Sequence, residues 1–225
     1  MIGLQILKRR RQVASAMVEK FRAIPVANIS DCMARMTAGG ARLRPMHASG
    51  RLAGPALTVK TRPGDNLMIH KAIDMAQPGD VIVVDGGGDL TSALIGELMV
   101  SQAIQRGVAG LVINGAIRDL DFIHAGAMPV YAAGVTHRGP YKDGPGEINV
   151  PIAIDGMVMQ AGDLILGDAD GVLCVPYDDL EAVLAAATSK VAAEVKTLAA
   201  IAEGRLDTSW IDVALTRIGC DTQPR

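Results

Sequence analysis

Twenty residues separate Glu97 from the adjacent pair Arg118-Asp119, and these three residue types could do chemistry together. Arginine supplies a planar, always-charged fork that fits a carboxylate or an enolate. Aspartate offers one hard oxygen ligand of the kind magnesium prefers, with waters filling the remaining positions. Arg-Asp neighbours are also common as surface ion pairs of little worth to stability, so the residue types alone leave both readings open. The stretch Gly96-Glu97-Leu98-Met99 poses a similar choice. If a helix begins there, its free N–H groups and dipole favour an anion such as a substrate carboxylate. Otherwise Glu97 simply complements the dipole of a first turn. Asp85-Gly86-Gly87-Gly88-Asp89 is a third candidate, because a glycine turn after a strand can bring backbone close to a phosphate or a nucleotide. It could pass for the glycine motif of a methyltransferase, yet it is neither a Walker loop nor GxGxxG, and Asp89 would repel an anion.

The elements that must position these residues follow from periodicity. DVIVVD (80–85), GLVIN (110–114), Pro129 to Gly134 and Ala56 to Thr61 are short aliphatic runs that read as strands. Helices lie between them: one capped by Asp65 and carrying Leu67, Ile69, Ala72 and Met75, another running to about Arg106. Such alternation predicts a parallel sheet covered on both faces. Arg118-Asp119 then stands beyond the carboxyl end of a strand, the usual ligand crevice of open α/β sheets. From Ile148 to Pro176 the runs VPIAI, DLILGD and GVLCVP follow one another without helices, as a second sheet or an antiparallel extension. Asp178-Asp179 opens a long helix ending at Gly204, with Leu180, Val183, Leu184, Ala187, Val191, Leu198 and Ile201 on one face.

The opening region to about Phe21 reads as a helix with Lys8 to Arg11 on its solvated face. Ile29-Ser30-Asp31 reads as the cap of another helix, and Gly39 to Gly54 as loop. Arg205 to Arg225 reads as a short helix plus a tail, anchored by Trp210. The expected fold is α/β: a β/β/α layered sandwich, one domain over 1–225, with 178–225 a helical C-terminal arm.

Composition narrows the function classes. The 22 basic and 24 acidic residues nearly cancel, and one Trp, three Tyr and two Phe leave few stacking platforms. Nucleic acid is therefore not an expected partner. Cys32, Cys174 and Cys220 form neither a disulfide framework nor a zinc signature, which suits a reducing cytoplasm. No apolar run approaches the roughly 20 residues of a membrane span, and MIGLQILKRRRQV places its apolar residues before its basic cluster, the reverse of a secretory signal.

Five stretches together resemble one family: PGDNLMIHKAI (63–73), Gly86-Gly87-Gly88, GELMVSQAIQRGVAGLVINGAIRD (96–119), GPGEINVPI (144–152) and GDLILGDADGVLCVP (162–176). It contains the regulator of ribonuclease activity A and the divalent-metal 4-hydroxy-4-methyl-2-oxoglutarate/4-carboxy-4-hydroxy-2-oxoadipate aldolases. The resemblance covers nearly the whole chain, and its centre is an acidic residue, twenty residues, then Arg-Asp. It implies a swivelling-domain type of sandwich, assembled as trimers or hexamers with sites between subunits. It also implies a metal-dependent lyase (Mg2+ or Mn2+) that cleaves a 2-oxo dicarboxylate to pyruvate, with oxaloacetate decarboxylation as a companion activity.

Carried onto this sequence, Asp119 would hold the metal, largely with waters, and Arg118 would bind the pyruvyl oxygen. Glu97 would orient a metal-bound water that protonates the enolate. The backbone of Gly96, Leu98 and Met99 would receive the substrate carboxylate, with Asn66 and His70 nearby on one helix face. Asp31 and Glu194 match acids that a neighbouring subunit contributes. The aldolases usually carry Asp at position 97 and Glu at position 31; each swap moves a carboxylate by about 1.5 Å, enough to disturb a tuned geometry. The family also contains regulators that bind a ribonuclease without catalysis, and members labelled demethylmenaquinone methyltransferases.

Overall fold

The computed structural model describes residues 1–37 and 41–221; Gly39, Gly40 and the end of the tail expected after Arg205 lie outside them. In chain order the first elements are β1 (Leu4–Ile6), α1 (Ser15–Arg22), α2 (Val26–Cys32), β2 (Arg44–Pro45), β3 (Leu52–Thr61), α3 (Leu67–Met75) and β4 (Val81–Asp85). Next come β5 (Ala93–Ile95), α4 (Glu97–Gln105), β6 (Gly110–Ile117), α5 (Leu120–Ala125) and β7 (Val130–Val135). After these the chain forms β8 (Gly146–Ile148), β9 (Ile152–Ile154), β10 (Met157–Met159), β11 (Leu164–Asp168), β12 (Gly171–Val175), α6 (Leu180–Ala202) and α7 (Ser209–Arg217).

The main sheet runs β1-β8-β3-β4-β6-β7-β2. Its centre, β3-β4-β6-β7, is parallel, whereas β8 lies antiparallel to β3 and β2 antiparallel to β7. Side chains of a strand alternate between faces, and here both faces are buried. Leu57, Val59, Ile82, Val84, Leu111 and Ile113 pack with Ile69, Ile73, Val100 and Ala103 of the covering helices. Ala56, Val81, Val83 and Val112 turn the other way, onto Ile152, Ile154, Met157, Met159 and Ile165. That second layer is the helix-free stretch of the sequence: β9 and β10 form a hairpin, and β11 pairs with β12 and with the first half of β3. Each fully buried aliphatic side chain contributes roughly 1.5–3 kcal/mol, so the β/β/α sandwich rests on a strand alternation already present in DVIVVD and GLVIN.

Within residues 1–54 three expectations change. The opening region is mostly not helical: β1 pairs with β8, and residues 7–14 are an extended strap. Alternation along the strap turns Arg9 onto the buried Asp80 (2.6 Å) and Arg11 onto Asp178 (2.7 Å), while the Val13 N–H donates to the Gly162 carbonyl. The buried Asp80 and the backbone bonds from the Leu7 and Val13 N–H groups therefore outweigh the helix propensity of the basic run, and the exposed Arg11–Asp178 pair adds little. Ile29, Ser30 and Asp31 lie inside α2 rather than capping a helix; α2 starts after Pro25, where the Val26 N–H donates to Asp168 Oδ2 at 2.9 Å. The segment expected as loop up to Gly54 contains β2 and the beginning of β3.

The chain divides into two compact units, Met1–Ala187 and the residues from Thr188 onward. In the second unit α6 continues to Ala202, Gly204 (φ +65) follows, and α7 begins at Ser209. α7 buries none of its residues, and Trp210 is 67 % exposed rather than packed as an anchor. Among the described residues no helix is long and apolar enough to cross a membrane.

Candidate functional site

Why Glu97 and Arg118 meet is answered by β5, a strand too short to read from the sequence. It pairs in parallel with the last residues of β6, Ala93 beside Ala116 and Ile95 beside Ile117. The Arg118 N–H donates to the Ile95 carbonyl at 3.0 Å. Both strands end at the same rim, so the intervening helix and strand return the chain to within one residue of its departure. Gly96 is extended and serves as the N-cap of α4. Lacking a side chain, it cannot cap the helix itself.

The cap comes from the other strand end. Asp119 sits in the left-handed region (φ 56°, ψ 45°), which Asp tolerates better than most residues. Its Oδ2 accepts the Glu97 N–H at 2.8 Å and lies 3.8 Å from Arg118 Nε, with the two side chains 44 % and 41 % exposed. The pair is thus neither a stranded surface ion pair nor a buried one. Asp119 fastens the helix start with one oxygen and still faces solvent.

The amides of α4 can be assigned one by one. The Glu97 N–H goes to Asp119, and those of Met99 and Val100 go to the Gly96 carbonyl at 3.1 Å. Among the described residues the Leu98 N–H has no such partner, so of Leu98 and Met99 it is the one open to an anion at the positive end of the helix.

Beside this helix start lies a cavity of about 140 Å³, lined by Asn66, His70, Ala93 to Gly96, Leu98, Met99, Arg118, Pro140 and Lys142. Drug-sized ligands occupy roughly 300–1,000 Å³, so this space suits a metabolite of few atoms. Asn66 joins α3 to β5: its Nδ2 donates to the Leu94 carbonyl at 3.0 Å and approaches Met99 Sδ at 3.3 Å. Its Oδ1 is buried without a partner among the described residues. His70, one turn along the same face, is held below its ordinary pKa, first by burial and then by the nearby positive charge of Lys142. Both favour the neutral form of its imidazole.

Two residues here were missed in the sequence. Lys142 lies in an irregular loop with no periodicity around it. Asp65, expected as a cap, does accept the Leu67 N–H at 3.0 Å, but its second oxygen accepts the N–H groups of Asp143 (2.7 Å) and Gly144 (2.9 Å). Burial works to raise its pKa; those three N–H groups and Arg62 outweigh it and hold the carboxyl below its ordinary value.

Glu97 and Asp119 stand at the helix start rather than among the residues that line the cavity, and Asp31 is not among those either. Asp31, on α2, pairs with Arg35 at 2.8 Å. Glu194 belongs to the second unit, where it lies 3.5 Å from Lys190 on α6. The Gly86-Gly87-Gly88 turn is not an open cradle. A Cβ on Gly86 would lie 2.6 Å from Leu94 Cδ1, and one on Gly88 2.5 Å from Arg42 Nη1, so protein atoms already take up that space.

A divalent ion is the group the sequence leads one to test. Among the described residues no three His, Cys, Asp or Glu side chains converge on a point. The donor set at the strand end is instead one solvent-facing carboxylate with a second, Glu97, on the adjoining turn. That fits an ion such as Mg2+, which keeps several of its waters.

The cavity, with the Arg118 guanidinium and a helix N-terminus, lies beyond the carboxyl ends of parallel strands, where open α/β sheets place their ligands, and the solvent-facing Asp119 carboxylate stands beside it. Similarity then gives the family. The chain belongs to the RraA-like family (Aldolase/RraA), whose pattern its residues 26–174 match. It is 42 % identical, over 78 % of its length and 83 % of the relative's, to a Halalkalibacterium halodurans protein provisionally named 4-hydroxy-4-methyl-2-oxoglutarate aldolase. Its fold is similar to that of an uncharacterized Pseudomonas syringae protein (TM-score 0.77, 26 % identity, 86 % of this chain and 95 % of the other). It is also similar to the RNA-processing inhibitor RraA from Thermus thermophilus (TM-score 0.63, 30 % identity, 68 % and 92 %).

Proposed function

We propose that the chain is a divalent-metal-dependent lyase that cleaves a 4-hydroxy-2-oxo dicarboxylate to pyruvate, with oxaloacetate decarboxylation as a companion reaction. The observation that carries this reading is the joint at the rim: Arg118 and Asp119 held against the start of α4, beside a cavity of metabolite size. The name of the Halalkalibacterium relative supports the same chemistry.

In this reading the Leu98 N–H takes the carboxylate next to the 2-oxo group, and the Arg118 guanidinium hydrogen-bonds to the C2 oxygen. A Mg2+ or Mn2+ ion at Asp119, with Glu97 reaching it through water, would supply Lewis-acid polarisation of that oxygen when bound. As the C3–C4 bond breaks, its electron pair moves to C3 and onto the C2 oxygen, where Arg118 stabilises the enolate. The neutral His70 imidazole is the acceptor the cavity offers for the C4 hydroxyl proton. Glu97, at the exposed helix head, directs a proton from water to C3, and the hydroxide left behind takes up the proton that His70 had accepted. Lys142 supplies a positive charge for the distal carboxylate. Oxaloacetate needs the same enolate stabilisation but loses carbon dioxide instead of an oxo acid.

The test is a coupled pyruvate assay with oxaloacetate and the branched 4-hydroxy-2-oxo dicarboxylates, with magnesium or with EDTA. Metal-dependent pyruvate release is expected; none with any of these substrates would overturn the reading. Lys142→Met is expected to raise KM for a dicarboxylate by about 10-fold or more, since a charge-assisted contact is worth about 1.5–3 kcal/mol, with a smaller change in kcat. An unchanged KM would remove Lys142 from the binding site.

The resemblance further supports a cytoplasmic homotrimer or hexamer, with Asp31 and Glu194 offered to a neighbouring subunit. Exposed Leu67, Leu98 and Tyr141 near the cavity suit such burial. A second reading, a non-enzymatic regulator, is favoured by the likeness to the Thermus inhibitor. It would give ribonuclease inhibition without pyruvate release.

A further inference from the structure

Lys142 reaches the cavity from a loop that has no regular structure of its own, so something must fix it. The loop leaves β7 at Val135 and re-enters the sheet at Gly146, the start of β8. Its middle is tied to the turn between β3 and α3 by a dense set of bonds centred on Asp65. The Tyr141 N–H donates to the Gly64 carbonyl (2.8 Å), and the Asn66 N–H donates to the Tyr141 carbonyl (3.0 Å). Asp65 Oδ2 accepts the N–H groups of Asp143 and Gly144, the two residues that follow Lys142. Asp65 Oδ1 accepts the Leu67 N–H at the first turn of α3, the helix that carries His70. One carboxylate thus bridges the loop bearing Lys142 and the helix bearing His70.

The cost of that arrangement argues that it is used. Asp65 is fully buried, and Arg62, 43 % exposed, is its cationic partner at 3.2 Å. A buried carboxylate is expensive unless hydrogen bonds to its charged form compensate. Here three backbone N–H groups do so, and no neutral side chain of similar size replaces them. An asparagine has a single acceptor oxygen, so its NH2 would face N–H donors either on the loop side or on the helix side.

We propose that Asp65 is a positioning residue of the candidate site: its carboxylate sets the place of Lys142 relative to Asn66 and His70, and so the binding of the distal end of the substrate. This rests on the lyase reading for the role of Lys142, but not for the tie between loop and helix.

The tie is tested first, without substrate, by amide hydrogen exchange of the free protein. The Asp143 and Gly144 amides are expected to be protected at least 100-fold over unstructured chain, and Asp65→Asn to bring the 140–145 segment close to the unprotected rate while β4 and β6 stay protected. Unprotected Asp143 and Gly144 amides in the unaltered protein would overturn the proposal, even if no Asp65 variant folds. The consequence for binding is read in a double-mutant cycle with Lys142→Met. Asp65→Asn alone is expected to raise KM for the dicarboxylate about 10-fold with a lesser change in kcat. In the Lys142→Met background the same substitution is expected to change KM less than 2-fold, because the group it positions is already gone. Equal effects in both backgrounds would make Asp65 a merely structural residue. An absence of pyruvate release from every variant, the unaltered protein included, would instead count against the lyase reading while leaving the exchange result to judge the tie.

Discussion

Asp119→Asn is expected to lower kcat/KM for pyruvate release by at least ~10²-fold, since even groups one shell beyond a metal cost 10–100-fold when lost, while the melting temperature stays within about 2 °C. The two halves of that result separate the two duties of Asp119. An asparagine oxygen can still accept the Glu97 N–H, now made at 2.8 Å, and asparagine is also at home in the left-handed region that Asp119 occupies. The cap therefore survives and the negative charge does not. Asp119→Ala removes both. The lost cap costs roughly 0.5–2 kcal/mol and the left-handed alanine about 1–2 kcal/mol more, so this variant is expected to melt several degrees lower. Added Mg2+ is expected to stabilise the unaltered protein against heat and to leave Asp119→Asn unmoved. Pyruvate release by Asp119→Asn that EDTA still abolishes would show that the ion is held elsewhere. Arg118 is separable in the same way. Its removal as Arg118→Ala should cost roughly 10²–10³-fold in kcat, as for other preorganised oxyanion donors, without affecting the response to Mg2+.

How far this site could be read from the sequence depends on which force fixes each part. The strands around it are legible because buried strands need aliphatic side chains on both faces, and DVIVVD and GLVIN have little else. The relation of Glu97 to Arg118-Asp119 is legible in outline, since a helix and a strand of these lengths bring the chain back to one edge. The strand that makes the relation precise, Ala93–Ile95, is three residues long and shows no period. The N-terminal strap misled for a different reason. Its conformation is set by the buried Asp80, 71 residues from Arg9, and by the distant carbonyls of Ile148 and Gly162, and local propensity carries no information about such partners. Lys142 was illegible for the same cause: its loop takes its shape from Asp65, through backbone N–H groups that every residue possesses. Asp65 itself could be read as a cap, because an Asp before an apolar helix signals one. That its other oxygen serves a distant loop has no local signature.

Gly96→Ala, a single added methyl group, is expected to disturb the site as much as loss of a functional side chain. The backbone of Gly96 is extended (φ −158°), a conformation open to alanine, so the penalty is not one of backbone strain. It is one of space. A Cβ at this position would lie 2.4 Å from Asp119 Oδ2, 2.9 Å from Arg118 Cγ and 3.1 Å from Arg118 Nε. Relief cannot come from the far end of a flexible chain alone, since the nearest atom belongs to the carboxylate that caps α4 and is held there by the Glu97 N–H. Either Asp119 leaves its cap or β5 moves off β6, against the bond from the Arg118 N–H to the Ile95 carbonyl. Overpacking of this kind costs about 1–3 kcal/mol, and a displacement of ~1 Å at reacting groups costs on the order of 10²-fold in rate. The variant is therefore expected to fold with a melting temperature lowered by several degrees, to lose about 10²-fold in kcat/KM, and to bind Mg2+ more weakly in the thermal-shift measurement. Glu97→Ala provides the comparison. It removes a carboxylate from the same turn but leaves Gly96, the cap and Arg118 in place, so it should lower kcat without weakening the cap or the melting temperature. If Gly96→Ala releases pyruvate at the unaltered rate, the close approach of the two strand ends is not what aligns Arg118 and Asp119.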